Sequence, residues 1–265
     1  MALKEPPPYV KGHNLLEGKS VLITAAAGAG IGFAAATRAA EEGARAVMIS
    51  DIHEGRLEKA VATLKEATGL EAIYGKLANV TLEEDVQSLI DEAESTMGGV
   101  DVLINNAGLG HKASLLDGNS EQWREMLEVN VLALCICTRE AIQDMRRRGD
   151  DGHVIHIGSM AGHRVPVGSG VYSATKFAVR SLTEGLRQEL RAANSQIRVT
   201  AISPGFVETE FAGLYHASQE AARQTYGRFK VLQSEDLAEA VAFVLASPAH
   251  MQVHDILLRP TNQQS

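Results

Sequence analysis

Short apolar runs alternate with longer segments of helical periodicity along almost the whole chain. The apolar runs, such as those at 21–23 and 46–49, contain no polar interruption. Uninterrupted apolar runs of this length are typical of strands that are buried on both faces. In the segments between them, apolar side chains recur at helical spacing; Leu57, Val61 and Leu64, for example, share one face of a predicted helix.

The pattern predicts a single α/β domain of the Rossmann type, in which one doubly wound, mostly parallel, seven-stranded sheet carries helices on both faces. The predicted strands cover 20–24, 46–49, 70–74, 100–104, 154–157, 198–202 and 256–258. The main predicted helices cover 31–42, 55–68, 82–97, 120–148, 172–193 and 234–246. We expect this domain to span residues 19–265 and to follow an arm over residues 1–18, whose consecutive prolines favour an extended backbone.

Composition and charge narrow the classes of partner. The chain has 265 residues, 25 basic and 33 acidic, and a formal net charge of −8. An acidic surface repels phosphate backbones, so we expect no nucleic-acid partner. No stretch approaches the roughly 18 apolar residues of a membrane span, and the first residues lack the apolar run of a signal peptide. We therefore expect a cytoplasmic protein with no membrane partner, and the scarcity of cysteine suits a reducing compartment.

A glycine-rich turn joins the first predicted strand to the first helix. Gly28, Gly30 and Gly32 allow the backbone to approach a diphosphate, and the helix that begins at Ile31 offers free N–H groups to it. Asp51 ends the next strand, 21 positions after Gly30, close to the spacing of about 20 that dinucleotide sites show. A carboxylate there suits ribose hydroxyls and repels a 2′-phosphate. NAD(H) is therefore the favoured cofactor, with NADP(H) as the alternative.

Tyr172 and Lys176 indicate acid–base chemistry. Residues four apart share one face of a helix, so the phenol and the amine lie side by side. A free tyrosine, with a pKa of about 10, is a poor base near neutral pH, but a neighbouring cation lowers that pKa. Ser159 follows a predicted strand, and its hydroxyl can hold an oxygen on which charge develops. A tyrosine and a lysine four residues apart also occur by chance on many helices. The position of Ser159 after a strand supports a catalytic interpretation of Tyr172 and Lys176, because ligands bind at the carboxyl ends of such strands.

These elements together resemble the short-chain dehydrogenase/reductase family over residues 18–258. The resemblance is carried by Gly28, Gly30 and Gly32, by Asn105-Asn106-Ala107-Gly108, by Asn130, Ser159, Tyr172 and Lys176, and by Pro204-Gly205. It implies an NAD(P)(H)-dependent oxidoreductase that interconverts a secondary alcohol and a ketone. The first hundred residues resemble bacterial members of sterol or acyl-CoA catabolism, and the later part resembles an animal branch that reduces keto-steroids with NADPH.

The resemblance also implies a role for each residue of a catalytic tetrad. Tyr172 exchanges the proton, Lys176 tunes it and binds the nicotinamide ribose, Ser159 orients the substrate oxygen, and Asn130 positions a water. The implied cofactor contacts are Gly28, Gly30, Ile31, Gly32, Asp51, Asn79, Val80, Asn106, Ala107, Gly108, Tyr172, Lys176, Pro204, Gly205, Val207 and Thr209. No metal site is expected.

The sequence departs from the family pattern at two cofactor positions. Ala25 follows Thr24 where the family has glycine, and the turn is one residue longer. If the position requires a positive φ, alanine costs on the order of 1 kcal/mol there, and Gly28 is expected to take over the tight bend. Asn79 stands where the family has an aspartate that contacts the adenine. Its amide oxygen can accept a hydrogen bond from the adenine amine.

Residues 206–230 carry an unusual density of aromatic side chains in a chain that is only 5% aromatic. Two interpretations stay open: a mobile apolar lid over the nicotinamide, or a helical pair that packs on the core. We expect a bulky hydrophobic substrate, of the steroid or 3-hydroxyacyl/3-oxoacyl type. The stripe formed by Val179, Leu182, Leu186 and Leu190 is either core or subunit interface, and the resemblance implies a homodimer or homotetramer.

A non-catalytic dinucleotide-binding sensor or scaffold on the same fold is the competing hypothesis. The complete set of Asn130, Ser159, Tyr172 and Lys176 argues against it, because a sensor does not need all four residues. An acyl-carrier-protein reductase would require a basic docking face beside the site, and the sequence does not locate one.

Overall fold

A single sheet of seven parallel strands organises the computed structural model, which describes residues 14–264. The strands are β1 (Ser20–Ile23), β2 (Ala46–Asp51), β3 (Ile73–Leu77), β4 (Val102–Asn105), β5 (His153–Ile157), β6 (Arg198–Pro204) and β7 (Asp255–Leu258). Their spatial order is β3-β2-β1-β4-β5-β6-β7, and every neighbouring pair is parallel. The order reverses between β1 and β4, which opens a crevice at their carboxyl ends. The predicted fold class is confirmed.

Helices cover both faces of this sheet. They are α1 (Ile31–Glu41), α2 (Glu54–Thr68), α3 (Glu83–Met97), α4 (Ser120–Leu127), α5 (Ala133–Arg147), α6 (Gly170–Ala192), α7 (Phe211–His216), α8 (Gln219–Tyr226) and α9 (Ser234–Leu245). Side chains of α1, α2 and α9 form one hydrophobic cluster, and side chains of α3, α5 and α6 form a second. Alternate residues of β1 supply both clusters: Val21 and Ile23 join the first, and Leu22 joins the second.

The domain boundary at residue 18 stays a prediction, because most of the proposed arm lies outside the described residues. Leu16, from its last part, is 5% exposed and belongs to the first hydrophobic cluster. In the part of the chain that the structure describes, no helix combines the length and apolarity that crossing a membrane requires.

Most predicted elements agree with the structure to within two residues at each end, and two elements differ by more. β3 begins three residues later than expected, because it is an edge strand in which only Ile73 is buried and the apolar run before it lies in a loop. The long helix predicted over 120–148 is interrupted by a single π-helical turn at Glu128–Leu132. Such turns insert one residue and are frequent at functional sites. This one carries Asn130.

The turn after β1 places its backbone strain on an alanine. Ala25 has a φ of 51°, whereas Gly30 is extended with a φ of −167°. Gly28 has no positive φ either, so the expectation that it takes over the bend is wrong. The left-handed region costs a residue with a Cβ roughly 1–2 kcal/mol. The turn therefore stores strain where the family pattern has glycine.

Replacing the strained alanine is expected to stabilise the protein. Ala25→Gly removes the left-handed penalty but adds freedom to the unfolded chain, so the net gain in the free energy of unfolding is about 0.5–1 kcal/mol. Ala29, exposed in the same turn, lacks a positive φ and is the matched control: Ala29→Gly should lower stability by up to about 1 kcal/mol. Urea unfolding measures both variants. Equal destabilisation by the two would show that Ala25 is not strained.

Candidate active site at the carboxyl edge of the sheet

Reciprocal hydrogen bonds tie the glycine turn to the end of β4. The Thr24 hydroxyl accepts from the backbone N–H groups of Asn106, at 3.1 Å, and Ala107, at 3.0 Å. The Asn106 amide donates to the carbonyl oxygens of Thr24 and Ala25, both at 2.9 Å. A Cβ at Gly32 would lie 2.5 Å from that amide nitrogen. Glycine is therefore required at this position so that Asn106 can hold the turn.

The glycine turn has the features of a diphosphate cradle. The first helix begins at Ile31, and no side chain of the described residues caps its N-terminus at Gly30. Free N–H groups and the positive end of the helix dipole suit an anion there. A Cβ at Gly28 would lie 2.6 Å from the Arg56 guanidinium, so this glycine accommodates a close neighbour rather than a special φ. These residues fit the dinucleotide that the resemblance implies.

The predicted adenosine contacts follow β2 and β3. The two carboxylate oxygens of Asp51 accept from the backbone N–H groups of Ala27, at 3.2 Å, and His53, at 3.1 Å. The Asn79 side-chain oxygen accepts from the backbone N–H of Thr81, at 3.1 Å, and from its hydroxyl, at 2.8 Å. These two bonds occupy both lone pairs of that oxygen. Without a cofactor, the Asn79 oxygen is thus engaged by Thr81, and its contact with the adenine amine stays a prediction. Val80 beside it is 7% exposed.

The π-helical turn directs Asn130 into the centre of the domain. Its side chain exchanges two hydrogen bonds with the backbone N–H and carbonyl of Leu109, both at 2.8 Å, and donates to the Thr175 hydroxyl at 3.0 Å. Asn130 therefore connects the loop after β4 to α6. A Cβ at Gly108 would lie 3.4 Å from the Asn130 oxygen, so Gly108 lies directly against it.

Lys176 lies beside the same backbone. Its Nζ donates to the carbonyl of Ile157 at 2.9 Å, and a Cβ at Gly108 would lie 3.5 Å from that nitrogen. Burial lowers the pKa of Lys176 to about 8. The amine therefore stays mainly protonated at neutral pH. It supplies a buried cation next to the loop that continues from Asn106.

Tyr172 differs from the expectation that Lys176 lowers its pKa. Burial raises the pKa of Tyr172 to about 12; a hydrogen bond with the Ser159 hydroxyl acts in the opposite direction, and Tyr215 adds to the increase. The Lys176 amine donates to Ile157 instead, so desolvation dominates the phenol. The phenol consequently holds its proton at neutral pH.

Aromatic side chains of α7 pack over Tyr172. The ring centroid of Tyr172 lies 5.5 Å from that of Phe211 and 5.9 Å from that of Tyr215, and these two rings stack on each other at 6.0 Å. A Cβ at Gly110 would meet all three rings within about 3 Å. Lys112 donates its backbone N–H to the Tyr215 carbonyl at 3.1 Å. Residues 206–230 form the two short helices α7 and α8, and α7 packs on the predicted catalytic tyrosine. Neither helix contributes to the two hydrophobic clusters, so both interpretations of this segment stay predictions.

The turn after β6 brings the remaining predicted contacts to the same edge. β6 ends at Pro204, and Gly205 donates its N–H to the Leu258 carbonyl at 2.7 Å. Val207 forms a parallel bridge with Leu232 and is 8% exposed. Thr209 lies over the glycine turn, since a Cβ at Gly30 would be 3.8 Å from its methyl group.

Sequence reasoning missed Gln263. Its side-chain oxygen accepts from the backbone N–H of Phe206 at 3.0 Å, next to the Gly205 turn. The residue is 6% exposed and lies near the end of the chain in no recognisable motif. Only the folded arrangement reveals this contact.

A polarised chain of hydrogen bonds supports the strand that precedes Ser159. Asn105 donates to the Thr138 hydroxyl at 2.8 Å, and that hydroxyl lies 3.2 Å from the Nε2 of His156. The Nδ1 of His156 lies 2.9 Å from the Thr183 hydroxyl, which donates to the Val179 carbonyl. These directions are consistent when His156 is neutral with its proton on Nδ1. Burial lowers the pKa of His156 to about 3, so the ring stays neutral.

No metal-binding arrangement is found at this edge or elsewhere within residues 14–264. The search was for groups of three or more His, Cys, Asp or Glu side chains that could hold a metal ion.

Comparisons with known proteins agree with this geometry. The model of the short chain dehydrogenase family matches residues 19–220. Dehydrogenase/reductase SDR family member 11 of Bos taurus is 49% identical over 246 residues, which cover 91% of this chain and 96% of that protein. Farnesol dehydrogenase of Aedes aegypti is 39% identical and covers 93% of this chain and 98% of its own length. Similarity to the animal reductase therefore includes both halves of the chain.

A solved structure leads to the same conclusion. The closed form of serine dehydrogenase complexed with NADP+ superposes with a TM-score of 0.85 at 30% identity, covering 93% of this chain and 96% of that one. The fold, the sequence similarity and the family match concern the same residues. The chain is a member of the short-chain dehydrogenase/reductase family, and thus an oxidoreductase that acts on CH–OH groups with NAD(P) as acceptor.

Proposed function

We propose that this enzyme interconverts a bulky hydrophobic secondary alcohol and its ketone, with Tyr172 as the acid and base. The observation that carries the proposal is the convergence of four side chains beside the glycine turn. The Ser159 hydroxyl bonds to the phenol of Tyr172, and Asn130 and Lys176 both lie against Gly108. The reciprocal hydrogen bonds between Asn106 and the segment Thr24–Ala25, which we call the clamp, join this group to the glycine turn.

The nicotinamide ring, when bound, supplies the hydride for ketone reduction and accepts it in alcohol oxidation. In reduction, Tyr172 donates its phenolic proton to the carbonyl oxygen as the carbon receives the hydride, and the alcohol forms. In oxidation, the phenolate takes the proton from the hydroxyl group. The Ser159 hydroxyl donates a hydrogen bond to the same oxygen and stabilises the charge that develops there.

Lys176 and Asn130 maintain this proton exchange. The Lys176 cation compensates the phenolate charge and, as the family resemblance implies, binds the nicotinamide ribose. The resemblance further implies that Asn130 positions a water that links Lys176 to solvent. Its bonds to Leu109 and Thr175 support this role, because they hold its side chain between the loop after β4 and α6.

For the cofactor, Asp51 supports NAD(H) as the favoured partner. Each carboxylate oxygen accepts one backbone hydrogen bond and keeps a lone pair for a ribose hydroxyl. Thr209, one of the other predicted contacts, supports this proposal because its methyl group would lie 3.8 Å from a Cβ at Gly30 in the glycine turn.

The surroundings of Tyr172 support a hydrophobic substrate. Phe211 and Tyr215 cover the phenol, and Leu115, Leu116 and Leu214 expose 71%, 97% and 65% of their surface near this part of the fold. Large exposed apolar side chains that occur together commonly mark a binding surface. Farnesol, which the name of one relative contains, is a long apolar primary alcohol, so it supports the apolar character of the substrate and not the secondary position of its hydroxyl group. A steroid or a 3-hydroxyacyl or 3-oxoacyl group matches the same description.

We also propose that the enzyme is a homodimer or homotetramer. Val179 and Leu190 of the predicted stripe are buried in the monomer and therefore belong to its core. Leu127, Leu132 and Phe177, by contrast, expose 49%, 53% and 39% of their surface on the neighbouring helical segments. These three side chains support an interface built from α4, α5 and α6.

Removal of the phenolic hydroxyl tests the catalytic assignment. Tyr172→Phe is expected to reduce kcat by at least about a thousandfold, because general acid–base catalysis and oxygen positioning are lost together. The dissociation constant for NADH, measured by nicotinamide fluorescence, should change less than about threefold. Retained turnover would refute the role of Tyr172, whereas loss of cofactor binding would indicate a structural effect.

Ser159→Ala tests the pH dependence. The Ser159 bond lowers the pKa of Tyr172, so its removal raises that pKa and decreases the phenolate fraction at a given pH. Alcohol oxidation, which needs the phenolate, should fall by about a hundredfold near neutral pH, and its rise with pH should move to higher pH. A pH profile of kcat measures both effects. A decrease that is uniform at every pH would contradict this assignment.

Phe211→Ala tests the substrate class. Loss of the ring over Tyr172 should raise KM for a 3-ketosteroid about tenfold and leave KM for cyclohexanone within about threefold. Phe243→Ala is the matched control, since Phe243 lies on α9 and is 59% exposed. Equal effects on the large and the small ketone would argue against an apolar contact at Phe211.

A further inference from the structure

Basic side chains from three segments meet at the end of α7. Lys112 lies in the loop after β4, and its backbone N–H donates to the carbonyl of Tyr215 at 3.1 Å. His216, the last residue of α7, has its Nε2 at 3.4 Å from the hydroxyl of Thr225 in α8. Arg228 follows the end of α8. We call Lys112, His216 and Arg228 the basic cluster.

The surroundings of His216 are electrostatically positive, in a chain whose net charge is −8. Burial lowers the pKa of His216, and the charges of Lys112 and Arg228 lower it further. His111, next to Lys112, lies 2.6 Å from the carboxylate of Glu125, whereas neither Lys112 nor Arg228 forms an ion pair within residues 14–264. Both of these residues are exposed. The cluster therefore presents two uncompensated cations to a ligand.

One aromatic ring separates the basic cluster from the predicted catalytic tyrosine. The ring centroid of Tyr215 lies 5.9 Å from that of Tyr172 and 5.0 Å from that of His216. Leu214, which precedes Tyr215, is 65% exposed, and Leu115, in the loop that carries Lys112, is 71% exposed. Apolar side chains of the same segments therefore accompany the cations, and this combination suits a ligand with an apolar body and a negative charge at one end.

The cofactor does not account for these cations. Glu210, directly before the first residue of α7, contacts Arg56 at the glycine turn, whereas His216 is the last residue of that helix. A helix of this length spans about 9 Å. The basic cluster and the predicted cradle for the diphosphate thus lie at opposite ends of α7.

We propose that the basic cluster binds a carboxylate of the substrate, at the end of the molecule remote from the reacting carbon. The inference rests on the proposed function and narrows its substrate class to hydrophobic oxo acids and hydroxy acids. The apolar body of such a molecule lies along Leu214 and Tyr215 while its ketone or alcohol meets Tyr172. Lys112 and Arg228 attract the carboxylate, and each contribution is modest because solvent screens exposed charges.

Steady-state kinetics with two matched ketones test this inference. One is a 3-oxosteroid with a carboxylate at C17, and the other is its methyl ester, so the two differ in charge at the end of the ring system opposite the ketone. For the wild-type enzyme, KM for the acid should be about tenfold lower than KM for the ester, with kcat values within about twofold. A remote group that binds equally in the ground state and the transition state changes KM and leaves kcat unchanged.

Variants that each remove one charge locate the anion. Lys112→Gln and Arg228→Gln should each raise KM for the acid about threefold, and the double variant about tenfold, with KM for the ester within about 1.5-fold. Lys112→Gln keeps the bond to Tyr215, because that bond comes from the backbone. Raising the ionic strength to about 1 M should likewise weaken the wild-type preference for the acid. Lys59, an exposed lysine of α2, provides the matched control, since Lys59→Gln should leave both KM values unchanged.

Several outcomes would overturn the proposal. Equal KM values for the acid and the ester in the wild-type enzyme would show that no cation meets the remote end, while turnover of the ester would leave the proposed function intact. A preference for the acid that persists in the double variant would place the anion elsewhere. Equal losses for both ketones in Lys112→Gln or Arg228→Gln would indicate a structural effect. Absence of turnover of both ketones would refute the proposed steroid-type substrate together with this inference.

Discussion

The clamp between Thr24 and Asn106 is the interaction on which the site depends. β1 and β4 are adjacent strands whose chains diverge at the switch point, so their last backbone groups have no strand partner beyond it. The side chains of Thr24 and Asn106 satisfy these groups reciprocally. The same clamp fixes the glycine turn and the start of the loop that reaches Gly108, and Gly108 in turn lies against Asn130 and Lys176.

Burial is the main electrostatic influence on the catalytic pair, and it acts against charge on both members. It raises the pKa of Tyr172 to about 12 and lowers that of Lys176 to about 8. Each shift favours the neutral form of its group. Burial alone therefore disfavours both the phenolate form of Tyr172 and the cationic form of Lys176. Among the groups that shift the pKa of Tyr172, the Ser159 hydroxyl acts against burial, and Ser159 lies on the segment that follows β5.

Local patterns predicted what depends on local geometry. The order of strands and helices, the glycine turn and the i, i+4 pair of Tyr172 and Lys176 follow from periodicities of a few residues. The exact bounds of β3 did not, because only Ile73 of that edge strand is buried. The π-helical turn was missed because the bonds of Asn130 to Leu109 and Thr175 exist only in the folded chain. The turn formed by Asn79 and Thr81 is local, and its two-residue spacing was a signal that the family resemblance obscured.

The short helix α7 connects the two functions of the crevice. Glu210 directly before its first residue contacts Arg56 on the glycine turn, and Phe211 and Tyr215 within it pack on Tyr172. A helix of this length spans about 9 Å, so one rigid element reaches from the adenosine side of the site to the acid–base group. Its position depends on an exposed ion pair at one end and on apolar ring contacts at the other.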